Sequence, residues 1–402
     1  MDTKILGKTK SNHHKNPAFA ISEIGLVHSL GISGIPVYHG FYSSRNVASY
    51  SRYTKRKFKL PGYDSEDFIE KLCEIGKDFE ERPTLYSDND QTLLKISSER
   101  ERLLPYYNFF LPEHDLVNKI LDKNLFVELC EEYDLPAPVS FSISSDHGLE
   151  EYINDIPYPC IVKPKFKENW WNTDLENIMG GYKKAFVCND ETELKSVVEK
   201  ISTVSPNIVV QEYIKGPDRQ MYDVNLMVTP DKEIKSYVIA KKLRVHPPGA
   251  GYGCYVETVH NDEVLELCKR IIKKLDLPGM LNIQFKQDIE TKKYGLIEIH
   301  PRTSIFDILG AASGQNIPAL YHMYLKQSSL PQQSSYKDDV KYLELKRDLK
   351  LFLGSRSNYD ASAFQWLKSY LDVSVIAGLR LTDLRPFIFD IWFMLKRWTS
   401  KI

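Results

Sequence analysis

The stretch Asn282-Ile283-Gln284-Phe285, followed by Ile297-Glu298-Ile299-His300-Pro301-Arg302, sets an amide, a carboxylate, an imidazole and a guanidinium along two neighbouring strand-like segments. Residues two apart in a strand share a face, so Glu298, His300 and Arg302 project together. The polar run 287–293 lies between apolar-rich segments 280–286 and 294–299, which predicts an antiparallel hairpin with Gln284 opposite Glu298. Magnesium takes hard oxygen ligands and keeps several waters while bridging phosphates, so Gln284, Glu298 and one carboxylate's worth of charge suit a metal–triphosphate site. Taken alone, the same string also fits a solvated charged hairpin, and the rest of the chain has to decide.

At 402 residues the chain exceeds one ordinary core and is expected to divide into two or three domains. Its net charge of −1, with 27% charged residues, gives no global field for nucleic acid, which leaves small molecules as the default partners. Six scattered cysteines without a CxxC pair argue against a zinc site or a disulfide framework and fit a reducing cytoplasm. Residues 1–16 are polar and basic and lack the apolar core of a secretory signal, so they are expected to form a disordered lead-in. No apolar stretch approaches the roughly 18 residues of a bilayer span; the nearest is 386–395.

Along the chain, the run 18–21, a helical pattern over 22–31 ending in Gly31, and the run 35–38 predict a βαβ opening. It is Rossmann-like in topology but has no GxGxxG for a dinucleotide. Helices are expected over 68–79 and 116–133, and a strand over 84–86. The prolines at 136 and 138 suggest a boundary near the end of the second helix. Beyond it, strands are expected over 160–164, 185–187, 208–214, 222–228 and 235–243, with helices over 191–201 and 263–275.

These motifs together resemble the ATP-grasp superfamily, and within it the carboxylate–amine ligases related to carbamoyl-phosphate synthase. The resemblance covers residues 116–325, with a weaker match before them. It implies an α/β and α+β architecture: an ATP-grasp fold over 116–330 with a lid at about 140–213, a Rossmann-like preATP-grasp domain over 17–115 and a helical extension over 331–402. By the same resemblance Lys123 and Lys163 are the two basic phosphate contacts, and Gly180 and Gly181 belong to a glycine loop over the phosphates. Gln211, Glu212 and Ile214 lie on the strand that reads adenine, and Asp218 is the acid that holds ribose. Gln284, Glu298 and His300 match the metal set, although His300 stands where the family usually has asparagine. That departure leaves two readings, a softer ligand that favours manganese or a group that only supports Glu298. Arg302 matches the arginine that clamps the phosphoryl group, and Lys241, Arg244 and the loop 249–253 sit where related ligases act on the acyl phosphate.

The resemblance implies that ATP, with Mg2+ or Mn2+, phosphorylates a carboxylate and that an amine then displaces phosphate to form an amide. The strings 26–37 and Ser51-Arg52-Tyr53 resemble ligases that attach amino acids to sugars of surface polysaccharides or peptidoglycan precursors. The partners so implied are an amino acid and a nucleotide- or lipid-linked sugar, with a homodimer as a further expectation. Two other readings stay open, a non-ligating ATP-binding regulator and a phosphotransferase that makes an acyl or carbamoyl phosphate. The C-terminal segment 383–402, aromatic and aliphatic beside Arg385, Lys396 and Arg397, either packs on the core or lies on the cytoplasmic face of a membrane.

Overall fold

The computed structural model describes residues 15–144, 147–165, 185–202, 207–249, 251–327, 330, 335–359 and 361–399. Ala18–Ile21 (β1) is buried throughout and pairs in parallel with Val37–Phe41 (β2) on one side. Thr54–Lys59 (β3) extends beyond β2 and Thr84–Ser87 (β4) closes the other side, so the first sheet runs β3-β2-β1-β4. Covered parallel strands read as continuous apolar runs, which is how β1 reads. The helix Ile24–Ile32 makes the crossover. Gly31 lies inside this helix, where a Cβ would fall 2.2 Å from the Tyr53 ring, and the chain turns at Gly34, with φ +75°. A side chain at 31 would displace Tyr53, and one at 34 would be strained.

The helix expected over 116–133 is two helices, His114–Leu121 and Lys123–Glu132, which meet at Asp122. Asp122 is extended, with φ −83° and ψ 114°, and its carboxylate accepts the Asn124 and Leu125 N–H groups as the cap of the second helix. Apolar periodicity runs through both segments, so only the cap chemistry marks the break.

A second sheet is built from Ser140–Ile143 (β5), Cys160–Pro164 (β6), Phe186–Cys188 (β7) and Ile208–Glu212 (β8), all antiparallel, in the order β5-β8-β6-β7. The helix Glu191–Ser202 drives Leu194 and Ile201 into the core under this sheet.

The third sheet has seven strands: Met221–Val228 (β9), Ile234–His246 (β10), Tyr252–Thr258 (β11), Gly279–Gln287 (β12), Tyr294–His300 (β13), Lys341–Leu343 (β14) and Val375–Ile376 (β15). Their order is β13-β12-β9-β10-β11-β14-β15. The β12–β13 register places Gln284 opposite Glu298, the pairing expected from the sequence, through a register shift between Gln284 and Phe285. Helix Asp262–Leu275 covers the sheet with seven buried side chains from Val264 to Leu275 at helical spacing, and Asn261 caps it. A buried aliphatic side chain contributes roughly 1.5–3 kcal/mol and a cap roughly 1, so burial of that face decides where the helix sits.

The segment after residue 335 supplies strands as well as helices. β14 and β15 extend the third sheet, and the helices Leu345–Ser355, Ala363–Lys368 and Arg385–Thr399 follow the fold's edge. Asp383 fastens this segment to the first sheet unit. Its carboxylate meets His28 Nε2 at 3.2 Å, and accepts the Ser51 hydroxyl and the Arg52 N–H. Part of the two N-terminal strings singled out above is therefore used to hold the C-terminal segment.

Candidate active site

One cleft runs between the second sheet and the β12–β13 hairpin, and it gathers residues that are far apart in sequence. Its apolar lining includes Phe126, Ile161, Val209, Ile214 and Ile297. Three lysines also line it. Lys123 enters from the start of the second of the two paired helices, Lys163 from β6 and Lys286 from β12.

Lys163 Nζ donates to Gln211 Oε1 at 2.7 Å, and Gln211 Nε2 donates to Ser140 Oγ at 2.8 Å, so two strands of the second sheet orient the ammonium. Burial pushes Lys163 down to about 8; Glu298 draws it back up, while Lys123 and Lys286 press it further down. Burial also brings Lys286 to about 8, with its Nζ 4.1 Å from the centre of the Tyr213 ring. Ammonium groups held down in this way gain from any anion that enters beside them, and a polyphosphate fits that donor set.

Glu298 is the carboxylate that Lys123 and Lys163 face. Burial alone would raise its pKa, but the His300 hydrogen bond and the charges of Lys123, His300 and Lys163 hold it well below the ordinary carboxylate range. It stays ionised. Gln284, opposite it, accepts from Lys242 Nζ at 3.1 Å and donates to Asn282 Oδ1 at 3.1 Å. Asn282 in turn donates to Asp223 and Asn225, at 3.1 and 3.0 Å. Asp223 Oδ2 lies 2.9 Å from Lys242 Nζ, near enough for an ion pair but off the angle of a hydrogen bond.

Among the described residues no three His, Cys, Asp or Glu side chains gather into a metal cage. An ionised Glu298 beside an amide oxygen still fits magnesium, which needs few protein ligands when phosphates complete its shell. His300 is held between two carboxylates. Its Nδ1 is 3.2 Å from Asp90 Oδ1 and its Nε2 is 3.1 Å from Glu298 Oε2, so both ring nitrogens face carboxylates. Burial works to lower its pKa, yet the Asp90 charge and the two hydrogen bonds raise it above the usual histidine value. This geometry fits the second of the two readings given for His300, a group that supports Glu298.

Arg302 lines the same cleft, its Nε hydrogen-bonded to Asp90 and its Nη1 donating to the Thr303 carbonyl at 2.8 Å. Gln211, Glu212, Ile214 and Asp218 line the cleft as well. The Asp218 carboxylate accepts the Gly249 N–H and the Tyr359 hydroxyl. Gly180 and Gly181 lie outside the described residues.

Lys241 and Arg244 are not brought to the cleft. Lys241 Nζ lies 5.7 Å from the Tyr222 ring centre. Arg244 is buried in a bidentate pair with Asp348, at 2.7 and 3.1 Å, with its guanidinium over Tyr255 and Trp366 at 3.9 and 4.3 Å. The β10–β11 register breaks on both sides of Arg244, so simple alternation does not carry past Lys242, and Lys242 is the residue that faces the cleft. Sequence reading also missed Lys286 and Asp90. The period-two rule gives Lys286, two residues after Gln284 on the same strand face, whereas nothing local marks Asp90.

With the geometry described, comparison with known proteins gives a consistent result. The family "ATP-grasp in the biosynthetic pathway with Ter operon" matches residues 205–347. D-aspartate ligase from Enterococcus faecium is 25% identical over 290 residues, covering 69% of this chain and 68% of that protein. N5-carboxyaminoimidazole synthetase from Staphylococcus aureus, solved with ADP, superposes with a TM-score of 0.61 at 15% identity, covering 81% of this chain and 80% of its own. L-amino acid ligase from Bacillus licheniformis superposes with a TM-score of 0.59 at 16% identity, covering 82% and 79%. The chain has the fold of these ATP-grasp structures, and the family match covers residues 205–347.

Proposed function

We propose that the protein activates an amino-acid carboxylate as an acyl phosphate and passes it to an amine, releasing ADP and phosphate. The observation that carries this reading is the convergence of Lys123 and Lys163 on Glu298, with Gln284 opposite, in one cleft that Lys286 and apolar side chains also line. In this reading the apolar lining takes adenine, the backbone of 211–214 reads its edge, and Glu212 and Asp218 meet the ribose. Lys123, Lys163 and Lys286 hold the phosphates, and Glu298 with Gln284 would hold magnesium, which screens phosphate charge when bound.

A carboxylate oxygen attacks the γ-phosphorus, the bond from that phosphorus to the bridging oxygen breaks, and ADP leaves. The amine nitrogen then attacks the acyl carbon, the C–O bond to phosphate breaks and the nitrogen gives up a proton. Arg302, tethered by Asp90, would clamp the transferred phosphoryl group. The chain supplies position and charge, and no side chain need form a covalent intermediate.

Two of the similar proteins named above are ligases of amino acids, which supports an amino acid as the carboxylate. An amino sugar of a glycan precursor is the amine we propose. The test is ADP release across a panel of D- and L-amino acids, D-aspartate included, crossed with amines that include amino sugars, with products weighed by mass spectrometry. One amide per ADP, formed only when both substrates are present, supports the reading. ADP release with a carboxylate and no amide would indicate a phosphotransferase instead. Nucleotide binding without release for any pair would indicate a regulator.

A further inference from the structure

Of the seventeen large apolar side chains exposed among the described residues, twelve lie between Leu349 and Leu395, so exposed apolar surface is concentrated on the C-terminal helices. It falls in stripes at helical spacing. Helix Leu345–Ser355 exposes Leu349 and Leu353, and helix Ala363–Lys368 with the turn after it exposes Phe364, Leu367 and Leu371. The last helix exposes Ile388, Ile391, Trp392 and Leu395. The opposite faces of the second and third stripes are already used. Trp366 is fully buried, and Phe389 stacks on Tyr50 with ring centres 3.9 Å apart. The three elements are joined to one another through the Phe352–Trp366 contact and the Lys346–Asp390 ion pair.

Charge follows the same boundary. Residues 345–402 hold ten Lys and Arg against five Asp and no Glu, a net +5, while the rest of the chain is net −6. Two of those five carboxylates, Asp348 and Asp383, are buried and paired inside the fold, which leaves the outer surface more basic still. Lys350, Lys368, Arg385 and Lys396 are exposed beside the apolar stripes. A protein partner would need matching acidic and apolar relief, whereas apolar stripes rimmed by Lys and Arg match the boundary of an anionic bilayer, where apolar groups sink below the headgroups and cations meet phosphates. Among the described residues no helix is long and apolar enough to cross a membrane, so contact would be along the surface.

We propose that the outer face of the C-terminal helices docks on a membrane surface rich in anionic lipid headgroups. Such docking would hold the ligase beside membrane-bound material while the cleft keeps its own chemistry.

The test is flotation of the full chain with vesicles of phosphatidylcholine alone, or with about one quarter phosphatidylglycerol, together with Trp fluorescence. Binding is expected on the anionic vesicles, with a blue shift, and should weaken at least tenfold when ionic strength is raised to about 0.5 M. Leu371→Glu combined with Trp392→Glu should lower partitioning at least about tenfold, and Lys368→Glu combined with Lys396→Glu should abolish the preference for anionic lipid. All four residues are exposed, so nucleotide affinity and thermal midpoint should hold in both variants and report intact folding. Failure to bind anionic vesicles, equal binding to both vesicle types, or wild-type partitioning of the apolar variant would overturn the proposal. So would a dimer in light scattering that the apolar variant converts to monomer, since the face would then join two copies of this chain.

Discussion

Two cleft residues show how burial and neighbours set a side chain's role. His300 stands between Asp90 and Glu298, at 3.2 and 3.1 Å, and orients both carboxylates. His300→Asn is expected to lower turnover by about tenfold, the usual cost of losing a group that positions a metal-binding carboxylate. The ratio of rates with magnesium and manganese should stay the same; a changed ratio in the ADP-release assay would make His300 a ligand instead. Lys163, brought to about 8 by burial, gives a pH dependence whose sign can be worked out. Its ammonium is lost as pH rises through about 8, so ATP affinity should fall between pH 7 and 9, with proton uptake on binding. The unfolded chain holds this proton up to the ordinary lysine range, so over the window from about 8 to about 10 the same group makes the ligand-free protein more stable as pH rises. Calorimetry of ATP binding at both pH values should show a smaller slope in Lys163→Met.

At the scale of elements, the junction at Asp122 joins local structure to function. Its carboxylate caps helix Lys123–Glu132 and pairs with Lys165 at 2.8 Å, which fixes where Lys123 enters the cleft. Asp122→Ala should cost about 1 kcal/mol in urea denaturation. It should also weaken ATP binding severalfold because Lys123 loses its fixed origin; unaltered affinity would separate the cap from the site. The hairpin was readable from its polar turn and flanking strands, and Gln284 and Lys286 share a face by alternation along one strand, but the register shift between Gln284 and Phe285 that sets Gln284 opposite Glu298 was not. The Lys241–Arg244 segment was not readable. Broken register around Arg244 cancels the two-residue period on which any face assignment depends.

In the whole molecule, Arg244 is the rivet of the C-terminal segment. It pairs with Asp348, which also accepts from Trp366 Nε1 at 2.8 Å and the Tyr370 hydroxyl at 2.7 Å, so β10 and two C-terminal elements meet at one carboxylate. Arg244→Ala leaves that carboxylate buried without its cation and should destabilise the fold by about 3–5 kcal/mol. Turnover per folded molecule should change little, whereas a catalytic arginine would show the reverse; denaturation and active-site-normalised rates distinguish them. With Asp383 held by His28, Ser51 and Arg52, this rivet fixes the segment whose outer face carries the basic and apolar stripes.

The sequence by itself determined whatever depends on short-range order: the βαβ opening, the amphipathic helix 262–275, and the existence of the hairpin that carries Gln284 and Glu298. Strand alternation, turn chemistry and helical period are local rules and can be read without knowing the fold. Only the tertiary structure decided which charged side chains share a space. Asp90 comes to His300 and Arg302, and Asp348 to Arg244, across more than one hundred residues of chain. Whether a lysine or histidine serves the cleft or the scaffold follows from its desolvation and its neighbours, and the packing of distant segments sets both.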